Sequence, residues 1–359
     1  MKAAVLHEPG RLTVEDVPEP ELSDDGILVR VRAASVCGTD LRVHRHGHFK
    51  IPAGTRRVLG HEFAGDVVAA GPRVRGLAVG ARVSVTPNVG CGRCAMCRHG
   101  HNNMCPDYEA FGISYDGGFQ ELLHVPGFAI ERGNVFTLPG SLGYRQAALV
   151  EPLSCCYHGQ QALRVGPEDT VVIAGAGPIG ACHLLLAKVA GARKVIVSNR
   201  RRPRLELAAR LGADVIVDVR EQDLADVVAE HTDGRGADVV ITCVSSAEVQ
   251  EQAAALLAPH GRLNYFSGLG RAQTVPVDTN RVHYRGLTLT GTTGSGNGDY
   301  ARSLALAAGG RVDLTPLIGD SFPLEKIEDA FAYAASGTGM KAMISYDSGA
   351  DDSHDDEGR

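Results

Sequence analysis

The stretch TVVIAGAGPIGACHLLLAKVAGA, starting at Thr170, constrains the fold more than any other part of the chain. TVVIA is an unbroken apolar run with β-branched residues, as a strand buried on both faces requires. It ends in Gly175, Gly177 and Gly180, with Pro178 and Ile179 between the last two, and a helical pattern follows. A glycine pattern G-x-G-x-x-G carries weight only in this strand–turn–helix setting. There the first glycine makes the turn and the second lets the backbone approach a pyrophosphate, while the helix N-terminus turns free N–H groups toward that anion.

The residues downstream repeat the alternation. KVIVSNR reads as a strand, RPRLELAARLG as a helix stopped by Gly212, and ADVIVD, GADVVITCV and GRLNYFSGLG as further strands. SAEVQEQAAALLAPHG reads as a helix between the last two. Strands alternating with helices predict an α/β fold with a doubly wound parallel sheet. Residues 1–150 have a different texture: ILVRVRAASV and ARVSV alternate or carry β-branched runs between Gly and Pro, so this part is read as β-rich. A length of 359 residues also favours two domains over one core. The last segment, DSGADDSHDDEGR, is acidic and poor in apolar residues and is read as a disordered tail, residues 348–359.

A dinucleotide site of this kind is completed at the end of the second strand. A carboxylate there holds the ribose 2′-hydroxyl of NAD. This chain has Asn199, followed by Arg200, Arg201, Arg202 and Arg204. Asn does not repel a 2′-phosphate and Arg can grip one, so NADP is the preferred cofactor, with NAD possible if Asn199 bonds the 2′-hydroxyl instead.

CGRCAMCRHGHNNMC places Cys91, Cys94, Cys97 and Cys105, four of the nine cysteines, within one short segment. Four thiolates with no open position suit a closed, structural zinc site, and soft sulfur ligands would also suit an iron–sulfur cluster. Either way no substrate could reach such a metal, so chemistry has to happen elsewhere. A second set is scattered: Cys37 in SVCGTD, His61 and Glu62 in GHE, Glu151 in LVEPLS. One thiolate, one imidazole and one or two carboxylates leave room for water or substrate, as a catalytic zinc needs. Spacing alone does not make them converge; the plainer reading has Cys37 as a small buried hydrophobe and Glu151 as an acid at a domain edge.

A net charge of −6 gives no basic excess for nucleic acid, and no apolar run reaches transmembrane length. The N-terminus lacks the apolar core of a secretory signal, so the expected compartment is the cytoplasm, where clustered cysteines are metal ligands or catalytic groups before they are disulfides.

CGTD (37–40), GHEFAGDVVAAGPRV (60–74), the four-cysteine segment, EPLS and GAGPIG stand in this order along the chain. Together they resemble the zinc-dependent medium-chain dehydrogenase/reductase family over roughly residues 1–346. The resemblance implies a GroES-like catalytic domain (1–152), a Rossmann-like NAD(P)-binding domain (153–290) and a return to the catalytic domain (291–347). It implies two zinc ions per chain: a catalytic ion on Cys37, His61, Glu62 and Glu151, and a structural ion on the four clustered cysteines. Glu151, where ethanol-type members have Cys, is similar to the polyol branch of sorbitol and threonine dehydrogenases. The implied activity is hydride transfer between NAD(P) and a secondary alcohol or ketone of a polyol, sugar or cyclitol, by a homodimer or homotetramer. A ketone or aldehyde reductase of the same architecture is the alternative, and a non-catalytic nucleotide-binding relative a further one. Thr39 matches the hydroxyl that starts the family's proton relay. Many relatives place the next relay member, a His, where this chain has Arg42; His44, His46 and His48 follow nearby.

Overall fold

The computed structural model describes residues 1–270 and 272–346; the acidic tail expected at 348–359 lies outside the described residues. The chain divides into two compact units. One is Met1–Ser154 together with the chain from Ser295, the other Cys155–Gly294. The divisions fall two and four residues beyond the expected 152/153 and 290/291.

The first unit is built on a seven-stranded sheet. Strand Ile27–Ser35 lies within it, antiparallel to Glu62–Ala70 on one side and to Lys341–Ser345 on the other. Ile27, Val29 and Val31 are buried and Arg30 between them is exposed, the alternation of a strand with one face on the core. Phe63, Phe111, Phe119, Leu123 and Phe331 fill that core. Leu122–Val125 adds to the same strand, and Ile318–Pro323 runs parallel to Lys341–Ser345. A strand that opens at Lys341 therefore sits inside a sheet whose other members come mostly from residues 27–137.

The second unit is a six-stranded, wholly parallel sheet. Across it the order is Val215–Asp218, Lys194–Asn199, Thr170–Ala174, Ala237–Thr242, Leu257–Tyr265, Thr288–Gly291. Sequence order reverses direction at Thr170–Ala174, the topological switch at which such sheets bind ligands. Alternate residues of the same strands feed two separate cores. Val171, Ile173, Val195, Val197, Val239 and Ile241 pack with Leu184 and Ala187 on one face. Val172, Ile196, Val217, Val240 and Leu263 pack with Val227, Val228 and Ala253 on the other. Both faces are covered, so the strands read as apolar runs.

One sequence expectation fails here. The helix predicted over SAEVQEQAAALLAPHG ends at Ala253, and after a single 3-10 turn the strand begins at Leu257. Leu257 pairs with Ala237, and the register then shifts before Arg262 pairs with Val239. Pro259 and His260, with a φ of +61°, make the irregularity. Ala and Leu favour helix locally, but burial of Leu257 and Ala258 against the neighbouring strand overrides that preference.

Candidate active site

Cys37 lies directly after strand Ile27–Ser35 and is the N-cap of helix Gly38–His46. Its Sγ accepts the Thr39 N–H at 3.5 Å, and its own N–H donates to Asp40 Oδ2 at 2.9 Å. The cap thus fixes the thiol and buries Asp40 in one stroke. Asp40 Oδ1 accepts from Gly60 N at 3.3 Å and stands 3.4 Å from His61 Nδ1. Gly60 has a φ of +91°, and a Cβ on it would lie 2.7 Å from the Phe119 ring, so only glycine allows the chain to present His61 here. Glu62 begins the adjacent strand, fully buried.

Donor atoms of Cys37, His61 and Glu62 lie within 4.8 Å of one another. Glu151 is outside that set. It occupies the first turn of helix Val150–Leu163, buried, and close enough for its charge to act on Lys341. Lys341 Nζ donates to Glu62 Oε1 at 2.6 Å and to Val36 O at 3.2 Å, and Ser35 donates its hydroxyl to Glu62 Oε2.

The local field favours positive charge. Burial pulls the His61 pKa down, but Asp40 and Cys37 outweigh it and hold it well above the ordinary value. Burial likewise opposes the Lys341 charge, and Glu62, Cys37 and Glu151 raise its pKa all the same. A divalent cation meets what this donor set demands, and a soft–borderline thiolate and imidazole beside carboxylates suit zinc.

Cys91, Cys94, Cys97 and Cys105 form a separate group, all four Sγ atoms within 4.8 Å of one another. The Cys94 and Cys105 sulfurs are 3.8 Å apart, the separation of about 3.8 Å that a tetrahedron with Zn–S bonds of about 2.3 Å would have. Backbone N–H groups of Cys91, Cys94 and Cys97 point at the sulfurs of Cys105, Cys91 and Cys94, at 3.3, 3.4 and 3.5 Å. N–H groups of Arg93 and Cys94 bring the Cys91 thiol down to about 6, whereas burial pushes Cys97 up to about 12. Four such thiols cannot ionise together without a cation among them.

In the second unit, Gly175 has a φ of +116°, and a Cβ on Gly180 would stand 1.8 Å from Gly175 O. Helix Pro178–Val189 starts at Gly177 with Pro178 in its first turn and with no side chain capping its N–H groups. Ile179 follows in that turn, half-buried. The Arg204 guanidinium reaches to 3.3 Å from where a Gly177 Cβ would be. Asn199 ends its strand, and its Oδ1 accepts the N–H groups of Arg200 and Arg201 at 2.6 and 3.1 Å, leaving the amide NH2 as a donor. Bare N–H groups at a helix start beside arginine fit a dinucleotide's phosphates.

Asp40, Ser35 and Lys341 are site residues that the sequence reading did not single out. Asp40 had a signal, standing inside CGTD; Lys341 had a faint one, a lone charge opening the apolar strand KAMIS.

Residues 23–132 match the family of alcohol dehydrogenase GroES-like domains, and residues 178–309 match the zinc-binding dehydrogenase family. Sorbitol dehydrogenase of Bacillus subtilis (strain 168) is 33% identical over 336 residues, 93% of each chain. D-arabitol-phosphate dehydrogenase of Enterococcus avium is 33% identical over 349 residues, 96% of this chain and 97% of its own. Among solved structures, a putative zinc-binding dehydrogenase from Sinorhizobium meliloti 1021 bound to NADP superposes with a TM-score of 0.89 at 34% identity, covering 96% of this chain and 98% of that one.

Proposed function

The chain belongs to the zinc-dependent medium-chain dehydrogenase/reductase family, in its polyol and threonine dehydrogenase branch, and from that premise we propose that it interconverts a secondary alcohol and ketone of a polyol, sugar or cyclitol. It is an NAD(P)-dependent oxidoreductase; in our reading NADP is preferred and each chain holds two zinc ions. The observation that carries the reading is the convergence of Cys37, His61 and Glu62 beside buried Glu151, an incomplete and therefore open donor set, in a unit that also holds the closed set of four cysteines.

When bound, zinc supplies Lewis acidity toward a substrate oxygen and the nicotinamide supplies the hydride acceptor. The chain's own residues do the rest. Asp40 Oδ1, 3.4 Å from His61 Nδ1, sets a negative charge beside that nitrogen, and Nε2 would then be the ligand atom. Lys341 and Ser35 hold the Glu62 carboxylate, so its negative charge is shared between a neighbouring ammonium and the metal position. Thr39, anchored by its N–H to Cys37, has a hydroxyl that can both accept and donate, as the first carrier of an alcohol proton must.

For the cofactor, the uncapped start of helix Pro178–Val189 would take the pyrophosphate. Asn199, Arg200 and Arg204 offer donors and positive charge, and no carboxylate, to a 2′-phosphate. All nine cysteines are free, which suits a reducing compartment, and we take the enzyme to be a cytoplasmic homodimer or homotetramer as the family resemblance implies. The described residues contain no helix long and apolar enough to cross a membrane.

The test is turnover of a panel of polyols, sugars and cyclitols with NAD and NADP in parallel, alongside metal analysis. NADP-linked oxidation with two zinc ions per chain is the expected result. Turnover with NAD alone would overturn the cofactor assignment, and one zinc per chain with no turnover would overturn the enzyme reading.

A further inference from the structure

Between Leu41 and His61 the chain has five Lys and Arg residues and no Asp or Glu, although the whole protein carries a net charge of −6. Most of these cations have local work. Arg57 donates to Asp116 Oδ1 at 2.9 Å, and Arg56 meets Glu15. Lys50 donates to Tyr108 O at 2.5 Å and lies 3.7 Å from Glu109. Arg45 sits in the last turn of helix Gly38–His46, where a positive charge offsets the helix dipole.

Arg42 has none of these reasons to be charged. It lies in mid-helix, one turn beyond Thr39 and on the same face, and its Nη2 donates to Thr39 Oγ1 at 3.2 Å. Among the described residues no carboxylate comes within ion-pair distance of its guanidinium. Thr39 in turn bonds Cys37 Sγ through its N–H at 3.5 Å. A permanently charged fork therefore stands one residue, Thr39, away from the Cys37 thiol. Half-buried His48 belongs to the same patch: burial, then the charges of Arg42 and Lys50, hold its imidazole below the ordinary pKa. The Lys50 backbone N–H donates to His48 Nδ1 at 3.2 Å, which makes Nε2 the ring nitrogen able to donate.

Resting on the oxidoreductase reading above, we propose that Arg42, with His48, binds an anionic group on the substrate, a phosphate ester or a carboxylate carried on the polyhydroxylated chain that is oxidised. A guanidinium offers two parallel N–H bonds to either oxyanion, and neither bond needs the metal. A neutral polyol would give Arg42 only hydroxyls, which do not answer its charge. The anionic end would be held at Arg42 while a carbinol further along the same molecule faces Thr39 and Cys37.

The experiment compares D-arabitol, D-arabitol phosphate and D-arabonate, which share a carbon skeleton and differ in the charged group. Binding to the zinc-replete full chain is followed by calorimetry with reduced nicotinamide present, so that no oxidation can occur, and kcat/KM is measured separately with the oxidised cofactor. Roughly tenfold to a hundredfold tighter binding of one or both anionic compounds is expected, lost in Arg42→Gln and partly kept in Arg42→Lys, which retains charge but not the fork. Whichever anion gains more identifies the source, phosphate ester or carboxylate. Equal affinity for all three compounds, or an Arg42→Gln variant that weakens arabitol as much as the anions, overturns the proposal. Charge-selective binding without any turnover would support the anion site while sinking the dehydrogenase reading, so the two fail separately.

Discussion

Lys341 Nζ lies 2.6 Å from Glu62 Oε1, with the two side chains only 7% and 0% exposed. The contact joins residues 279 apart in sequence. Nothing on the strand Glu62–Ala70 itself neutralises that carboxylate; the counter-charge comes from the strand Lys341–Ser345, which reaches it through pairing with Ile27–Ser35. Removing one member of such a pair leaves an uncompensated buried charge, which costs about 3–5 kcal/mol, whereas removing both costs far less. Lys341→Met should therefore lower the denaturation midpoint strongly, and the double variant Glu62→Gln/Lys341→Met should recover most of the loss. Denaturant titration of the zinc-free protein reads this; equal losses in the single and double variants would show that the pair is not the cause.

The four-cysteine segment and the Cys37 set are separate groups, so they should fail differently. Cys94→Ser is expected to cost one zinc per chain and to lower thermal stability, since a closed metal site contributes folding free energy. Cys37→Ser is expected to cost the other zinc and nearly all turnover while the melting temperature moves little. Metal analysis and calorimetry on the two variants provide the check. A Cys94→Ser protein that keeps both zinc ions would contradict the assignment.

Asn199 decides the sign of the charge beside the ribose. Asn199→Asp keeps the Oδ1 acceptor that bonds the N–H groups of Arg200 and Arg201 but adds a negative charge. That charge repels a 2′-phosphate and accepts from a 2′-hydroxyl. The ratio of kcat/KM with NADP to that with NAD should fall by roughly a hundredfold, a loss of about 3 kcal/mol of relative binding. An unchanged ratio would move cofactor selection away from this position.

His183 supplies a pH dependence. It is fully buried on helix Pro178–Val189, with Gln160 Nε2 3.2 Å from Nδ1 and Phe266 edge-on at 4.7 Å. Burial brings its pKa down to about 3. Between that value and the ordinary one near 6.5 the unfolded chain binds a proton that the folded chain refuses, so stability is full above pH 6.5 and falls as the pH drops. The loss is on the order of 4 kcal/mol by the time the folded pKa is reached. His183→Asn should flatten the melting temperature between pH 7 and 4 relative to the wild type. A parallel pair of curves would refute this.

How much of this could be read from the sequence follows from the range of each interaction. The turn at Gly175–Gly180 was legible because its strand, glycines and helix are contiguous and each residue's role is local. The thiol cluster was legible for the same reason. Convergence of Cys37 with His61 and Glu62 came from resemblance alone, since nothing in a spacing of more than twenty residues brings the thiol to the other two. Lys341 was not found, because its role exists only after a strand from the end of the chain has inserted beside Ile27–Ser35. The helix expected to run past Ala253 was misread for a related reason. The segment Leu257–Ala258 has helical composition, and only its parallel neighbour Ala237–Thr242 makes it a strand.

The insertion of Lys341–Ser345 between Ile27–Ser35 and Ile318–Pro323 also sets an order on synthesis. On the ribosome Cys37, His61, Glu62, Glu151 and the whole nucleotide-binding unit emerge before Lys341, the ammonium that balances Glu62. A chain released early, after Gly294, would have its dinucleotide turn complete and its carboxylate unopposed. Until Lys341–Ser345 has emerged and inserted, the sheet cannot close around a neutralised Glu62.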